Sequence, residues 1–317
     1  MTASSVIGVD VGGTKIAAGT LQLPEGRWVP FKTYPTLRER GGRWVLNEVL
    51  QICRDLAGQI TSIPGRPVAA IGIGLCELVG RTGGILSAHS LDWRALPVLE
   101  ELGQIAPAIL EADVRAAARA EALFGVGRGL GSFLHITIGT GISCCLMLDG
   151  RPHMGSQGLT GTLASSPLGP LLGIPSAANM TLEDLASGPA LVARFRKAGG
   201  FAERGEEVVR AAADGNPTAL QIIDSASAAL GAHIGLLVNV LDPDAVVIGG
   251  GLGLSEGPYR ERLLVAIRNQ VWSEGHRGLP IVQARTGVDA GWLGAAAAAM
   301  ERFDLPRPSL HLSSEIP

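Results

Sequence analysis

Two stretches of this chain share one plan: an apolar run enters a glycine turn and a second apolar run leaves it. The first is VIGVDVGGTKIAAG, residues 6–19, and the second is FLHITIGTGISCCLML, residues 133–148. Apolar runs joined by such a turn read as antiparallel strand pairs. Each pair is followed by helical and strand-like segments, so the chain reads as two α/β halves built on the same opening. At 317 residues the chain is long enough for two domains of ordinary size.

In the first half the pattern predicts a helix over 44–60, a buried strand VAAIGIGL at 68–75 and an Ala- and Arg-rich helix over 113–123. In the second half it predicts helices over 181–198, 205–213 and 217–240, then strands AVVIGGG (245–251) and PIVQA. The Ala-rich segment AGWLGAAAAAMERF, 290–303, closes the series as a helix. The boundary between the halves falls between Asp113 and Gly125. The expected domains are 1–115, completed by the terminal helix 290–305, and 116–289, with a frayed Pro- and Ser-rich tail at 306–317.

Composition narrows the function classes. Apolar residues make up 46% of the chain and aromatics only 4%, with 44 glycines, which suits closely packed elements rather than disorder. A net charge of −3 provides no field to draw nucleic acid or an anionic membrane. Cys53, Cys76, Cys144 and Cys145 form no Cys-x-x-Cys pair, and neither a signal peptide nor a continuous apolar run of about 18 residues is evident. Reduced thiols and a cytoplasmic location are expected.

Three glycine turns follow apolar strands: Gly12–Gly13–Thr14, Gly139–Thr140–Gly141 and Gly249–Gly250–Gly251. Met singly, such a turn is usually only a hairpin. Three in a duplicated chain, two with a threonine inside, suit a cradle for phosphate, because glycine lets backbone N–H groups approach the oxygens. None fits the P-loop or the dinucleotide-binding turn. Asp10 ends a buried strand, where a carboxylate either caps its own turn or works with Mg²⁺. Asp113, at a predicted helix start, is either an N-cap or a group facing a cleft between the halves.

On these residues the chain resembles the ROK family of sugar kinases, within the sugar kinase/actin-like ATPase superfamily. The similarity runs from about residue 6 to 303 and rests on DVGGTK, EADVRAAARAE, IGTGI, TLEDLASGPA and LDPDAVVIGGGL, in that order. It implies an α/β fold of two actin-like (ribonuclease H-like) domains with an interdomain cleft that closes on ATP and a sugar. It further implies Asp113 as general base, with Gly12, Gly13, Thr14 and Lys15 on the phosphates. Gly139, Thr140 and Gly141 would form the second phosphate loop, Gly250 and Gly251 would lie by the adenosine, and Asp10 would act indirectly on Mg²⁺.

Departures from the family pattern concern the acceptor. Ala112 stands where the family has Asn before the catalytic Asp, and GTLAS puts Thr162 and Ser165 in place of a sugar-binding Glu and His. Glu183 matches the second family Glu. Cys76–Glu77 replaces a Pro-Gly pair. Ala112, Asp113, Thr162, Ser165 and Glu183 are therefore the expected substrate contacts, with Glu77, Arg81, Arg115 and His153 as further candidates. The family's zinc signature is absent, PLGPLLGIPSAANMTLE standing in its place, so no zinc site is expected and apolar packing by LLGI substitutes for the metal.

The expected function is ATP-dependent phosphorylation of a hydroxyl on a sugar or sugar-like substrate, with altered specificity, by a homodimer with no nucleic-acid or membrane partner. The alternative is a catalytically degenerate nucleotide- or sugar-binding sensor. A DNA-binding regulator is not expected, because the first strand begins near residue 6 and no winged helix precedes it.

Overall fold

The computed structural model describes residues 3–168 and 180–308. The chain separates into two compact units. Among the described residues, the first takes in 3–129, Gly150–Thr160 and 288–308; the second takes in Leu130–Asp149 and, from 161 to 287, the rest.

The first unit is built on strands β1 (Ser4–Val11), β2 (Lys15–Leu23), β3 (Arg27–Pro30), β4 (Tyr34–Pro35), β5 (Val68–Leu75) and β6 (Ala108–Ala112). The sheet order is β3-β2-β1-β5-β6, with β4 pairing β2. β1 runs antiparallel to β2 and parallel to β5, and β5 runs parallel to β6. Strands buried on both faces need apolar residues throughout, and β1 and β5 supply them. Helix α1 (Gly42–Thr61) covers one face with Val45, Val49, Ile52, Leu56 and Ile60, a helical stripe that packs with Ile7, Val9, Ile71 and Ile73. A short helix α2 (Val98–Gly103) leads into β6.

Helix α3 (Asp113–Phe124) and the C-terminal helix Ala290–Arg302 lie on the other face. Their approach is unusually close, which explains the glycine and alanine content. A Cβ at Gly72 of β5 would collide with the Ala295 carbonyl, and one at Gly294 with the Ala116 carbonyl. Only small residues permit that spacing.

In the second unit, β7 (Ser132–Ile138) and β8 (Ile142–Leu148) form an antiparallel pair. Strand Val246–Gly249 runs parallel to β7, and Ile281–Gln283 runs parallel beyond it. The core joins Ile136 and Ile138 to Leu191, Ile223, Leu230, Tyr259 and Ile267 from the surrounding helices. Among the described residues, helix Pro217–Leu241 is the one long and apolar enough, by length and composition, to cross a membrane. Its Ile223, Leu230, Ile234 and Val238 are fully buried in this core.

Several expectations need correction. The segment expected as one helix over 181–198 is two, Leu182–Ala186 and Gly188–Lys197, because Ser187 is extended and caps the second helix by accepting the Ala190 N–H. Pro189 follows in that helix's first turn, where its missing N–H costs nothing. Strand β6 and helix Pro258–Gln270 were not anticipated. The helix buries only Tyr259, Leu263 and Ile267, so its periodic signal is weak. The boundary at 115/116 falls inside α3, and the Gly150–Thr160 segment clusters with the first unit although it follows β8. The LLGI segment and most of the tail from Pro306 lie outside the described residues.

Candidate functional site

In the first unit, three parallel strands deliver their carboxyl ends to one edge of the sheet. The register pairs Asp10 with Gly74, and Leu75 with Ala112. Asp10, Cys76 and Asp113 are thus brought from distant parts of the sequence to neighbouring positions. Ligands of open parallel sheets bind at that kind of edge.

The Gly12–Gly13–Thr14 turn joins β1 to β2 at the same edge. Gly12 N–H donates to the Lys15 carbonyl at 3.0 Å, and Thr36 anchors the turn, its hydroxyl donating to the Gly12 carbonyl at 2.7 Å. Thr14 and Lys15 are exposed. A Cβ at Gly13 would lie 3.6 Å from Ser90 Oγ and 4.0 Å from Arg38 Nη1. Arg38 was missed from sequence, being 25 residues downstream with no motif around it.

Asp10 is tightly enclosed. Gly74 and Gly291 flank its carboxylate, and a Cβ at Gly291 would clash with it. Loss of solvent, and then the charge of Asp113, push its pKa up to about 7, against the opposing pull of Lys15. Asp113 is the first residue of α3 rather than its N-cap: the cap is Ala112, and Asp113 Oδ1 accepts the Val114 N–H at 2.6 Å. Ala112 is buried in the apolar core of this unit. The Cys76 thiol is pushed up to about 12, by burial first and then by Asp113, so it stays protonated at neutral pH.

Two further candidate contacts turn out to be structural. Glu77 is 4% exposed and accepts from the Ser87 hydroxyl and from the N–H groups of His89 (2.9 Å), Ser90 (2.5 Å) and Leu91 (2.8 Å). Burial raises its pKa, but those hydrogen bonds outweigh burial and hold it below the usual carboxylate value. It therefore fixes the loop that carries Ser90 to the Gly13 turn. Arg115 is equally committed: it pairs with Glu111 at 2.5 Å and donates to the carbonyls of Gly158 (2.8 Å) and Val79 (2.6 Å). Arg81 and His153 remain exposed.

In the second unit, the other two glycine turns are neighbours. Gly139 N–H donates to the Gly141 carbonyl at 2.9 Å, and Gly188 N–H donates to the Gly139 carbonyl at 2.9 Å. Gly250 has φ +82, and a Cβ there would strike the Ile138 carbonyl just before the 139–141 turn. A Cβ at Gly139 would lie 3.8 Å from the Gly251 nitrogen, and one at Gly251 would lie 3.2 Å from Glu206 Oε1. Glu206 was also missed from sequence.

Glu183 reaches the same turn from helix Leu182–Ala186. Its Oε2 accepts the Ile142 N–H at 2.8 Å, and a Cβ at Gly141 would lie 2.6 Å from that oxygen. One of its oxygens is thus spent on bracing Gly139–Thr140–Gly141. Thr162 and Ser165 are exposed in a single 3₁₀ turn, where the Ser165 hydroxyl donates to the Thr162 carbonyl at 3.4 Å. The turn is tied to β8 by the Cys144 N–H, which donates to the Gly161 carbonyl at 3.2 Å.

The ROK family model matches residues 6–302. The chain belongs to the ROK family. Its fold is accordingly the α/β fold of the actin-like ATPases. It is 30% identical to a glucokinase of Streptomyces coelicolor over 324 aligned residues, covering 93% of this chain and 97% of that protein. Among solved structures, a ROK hexokinase from Thermus thermophilus superposes with a TM-score of 0.78 at 32% identity, covering 95% of this chain and 99% of the other. A ROK glucokinase from Streptomyces griseus, in complex with glucose and AMPPNP, superposes with a TM-score of 0.75 at 26% identity, covering 94% and 99%.

Proposed function

We propose that this ROK protein is an ATP-dependent carbohydrate kinase that phosphorylates a hydroxyl of a sugar or sugar-like substrate. The observation that carries the reading is the pair of carboxylates Asp10 and Asp113 at the carboxyl ends of parallel strands, beside the Gly12–Gly13–Thr14 turn. Asp113 takes the proton of the acceptor hydroxyl as its oxygen attacks the γ-phosphorus, and ADP leaves. Gly12, Gly13, Thr14 and Lys15 hold phosphate oxygens in the first unit, and Gly139, Thr140 and Gly141 do so in the second. Gly250 and Gly251 receive the nucleoside.

The donor set suits Mg²⁺. Asp10 offers a carboxylate whose charge is disfavoured by burial and by Asp113, a cost that a divalent cation nearby would offset. Among the described residues no group of three or more His, Cys, Asp or Glu could hold a metal ion. Mg²⁺ commonly binds through one or two carboxylates, waters and substrate phosphates. Asp10 would hold the ion indirectly, and the ion would neutralise charge on the phosphates.

Thr162, Ser165 and Ala112, in place of the charged and amide groups of related kinases, support an acceptor other than the family's usual hexoses. Each missing partner for a buried hydroxyl costs about 1–3 kcal/mol of recognition. A homodimer is supported by the exposed apolar residues Leu236, Val240 and Trp272, the last tied to Asn239 by its N–H. A cytoplasmic location is supported by four cysteines that are all free thiols.

The same altered residues favour a second reading, a sensor that binds without turnover. Measuring ADP release with Mg²⁺ and ATP across hexoses, amino sugars, polyols and sugar acids separates the two. Turnover on one compound, abolished by Asp113→Asn, supports the kinase. Intact nucleotide binding with no turnover on any compound supports the sensor.

A further inference from the structure

One face of the first unit carries more positive charge than its carboxylates balance, and the proposed catalysis does not use it. An open groove of about 700 Å³ is lined by Arg81, Arg119, Arg151, His153, Ser156 and Glu301, among others. These residues come from the segment after β5, from α3, from Gly150–Thr160 and from the C-terminal helix. Behind the groove, Glu111 pairs with both Arg115 and Arg119, at 2.5 and 3.2 Å. Within it, Glu301 pairs with Arg119 and, at 3.3 Å, with Arg151. Arg81 donates to the Gly155 carbonyl at 3.2 Å, and no carboxylate pairs with it among the described residues. Four guanidinium groups thus share two carboxylates.

We propose that this groove binds a phosphomonoester. The two surplus positive charges match a phosphomonoester, which carries about −1.5 to −2 at pH 7. The guanidiniums are also graded in freedom. Arg119 is 12% exposed and is oriented by two carboxylates, so its position is set before any ligand arrives. Arg151 is 68% exposed, and Arg81 is exposed as well, so both can turn onto an oxyanion. Planar guanidiniums bind phosphate oxygens in pairs, and uncompensated ones crowded into one groove repel each other until an anion arrives. The volume leaves room for an organic group beyond the phosphate. Binding in this groove needs no nucleotide and is separate from the proposed phosphoryl transfer.

Calorimetric titration of the full chain with inorganic phosphate and with glycerol 3-phosphate, without nucleotide or Mg²⁺ and at low ionic strength, tests it. The wild type is expected to show saturable binding, weakened at least tenfold in Arg151→Gln and in Arg81→Gln and lost in the double variant. Arg54→Gln, which removes an exposed guanidinium of α1 outside the groove, is expected to bind as the wild type does. Tighter binding of glycerol 3-phosphate than of inorganic phosphate would show that the groove reads the organic group; equal binding would show that it reads the phosphate alone, and either supports the site. No saturable binding in the wild type would overturn the proposal. So would full binding in the double variant, or loss of binding in Arg54→Gln with both groove arginines intact. Thermal melts of each variant establish that a lost signal is not an unfolded chain.

Discussion

Gly291 has no side chain because Asp10 occupies the space: a Cβ there would overlap the Asp10 carboxylate. The first residues of the C-terminal helix thereby shape the acid that ends β1, 281 positions earlier in a chain of 317. Gly74, at the end of β5, closes the other side.

Gly291→Ala is expected to push Asp10 off its position. Overpacking of this kind costs about 1–3 kcal/mol, read as a lower urea midpoint with an unchanged slope. Turnover should fall by more than the small stability loss explains. A variant with wild-type stability and turnover would show that Asp10 has room to move.

Asp10 gives stability a distinctive pH dependence in the absence of Mg²⁺. The unfolded chain releases this proton near 3.8 and the folded chain at about 7, so between those values the folded state binds more protons. Stability from this group therefore falls as pH rises from about 4 to 7. Asp10→Asn should flatten that part of the urea-stability profile, and added Mg²⁺ should flatten it in the wild type.

Glu77 acts with the opposite sign. Its pKa lies below the ordinary 4.5, so its contribution is complete above that value and is lost as pH falls through the folded value. Glu77→Ala leaves three N–H groups and a hydroxyl without their acceptor, at a cost of about 3 kcal/mol or more. Loss of the acid-side slope in this variant, together with faster hydrogen exchange at Ser90 and Leu91, would establish the brace.

Glu183→Gln and Glu183→Ala separate bracing from charge. Gln keeps a carbonyl oxygen for the Ile142 N–H, whereas Ala removes it. If bracing of the 139–141 turn dominates, nucleotide affinity is near wild type in Gln and about tenfold weaker in Ala, a difference of about 1.4 kcal/mol. Equal loss in both variants would assign the role to the charge.

Hairpins, buried strands and most helices were legible in the sequence because their causes are local. Turn chemistry at Gly12–Gly13–Thr14 and Gly139–Thr140–Gly141, and apolar runs such as VAAIGIGL, act over a few residues. Helix Pro258–Gln270 escaped because three buried side chains in 13 positions leave little periodicity. Ser187 split an apparently continuous helix because a serine cap followed by Gly188–Pro189 outweighs the periodic pattern.

What the sequence by itself determined is the set of chemical parts: glycine turns after apolar strands, Asp10 at a strand end, and Asp113 at a helix start. Only the tertiary structure decided what each part touches. Glu77 and Arg115 looked available to a substrate, yet each is consumed by partners as far as 14 and 43 residues away. Gly291, Ser90, Arg38 and Glu206 carry no motif and enter through contact alone. Local propensity acts through neighbours in the chain, whereas burial, charge coupling and steric exclusion act through neighbours in space, which the packing of distant segments creates.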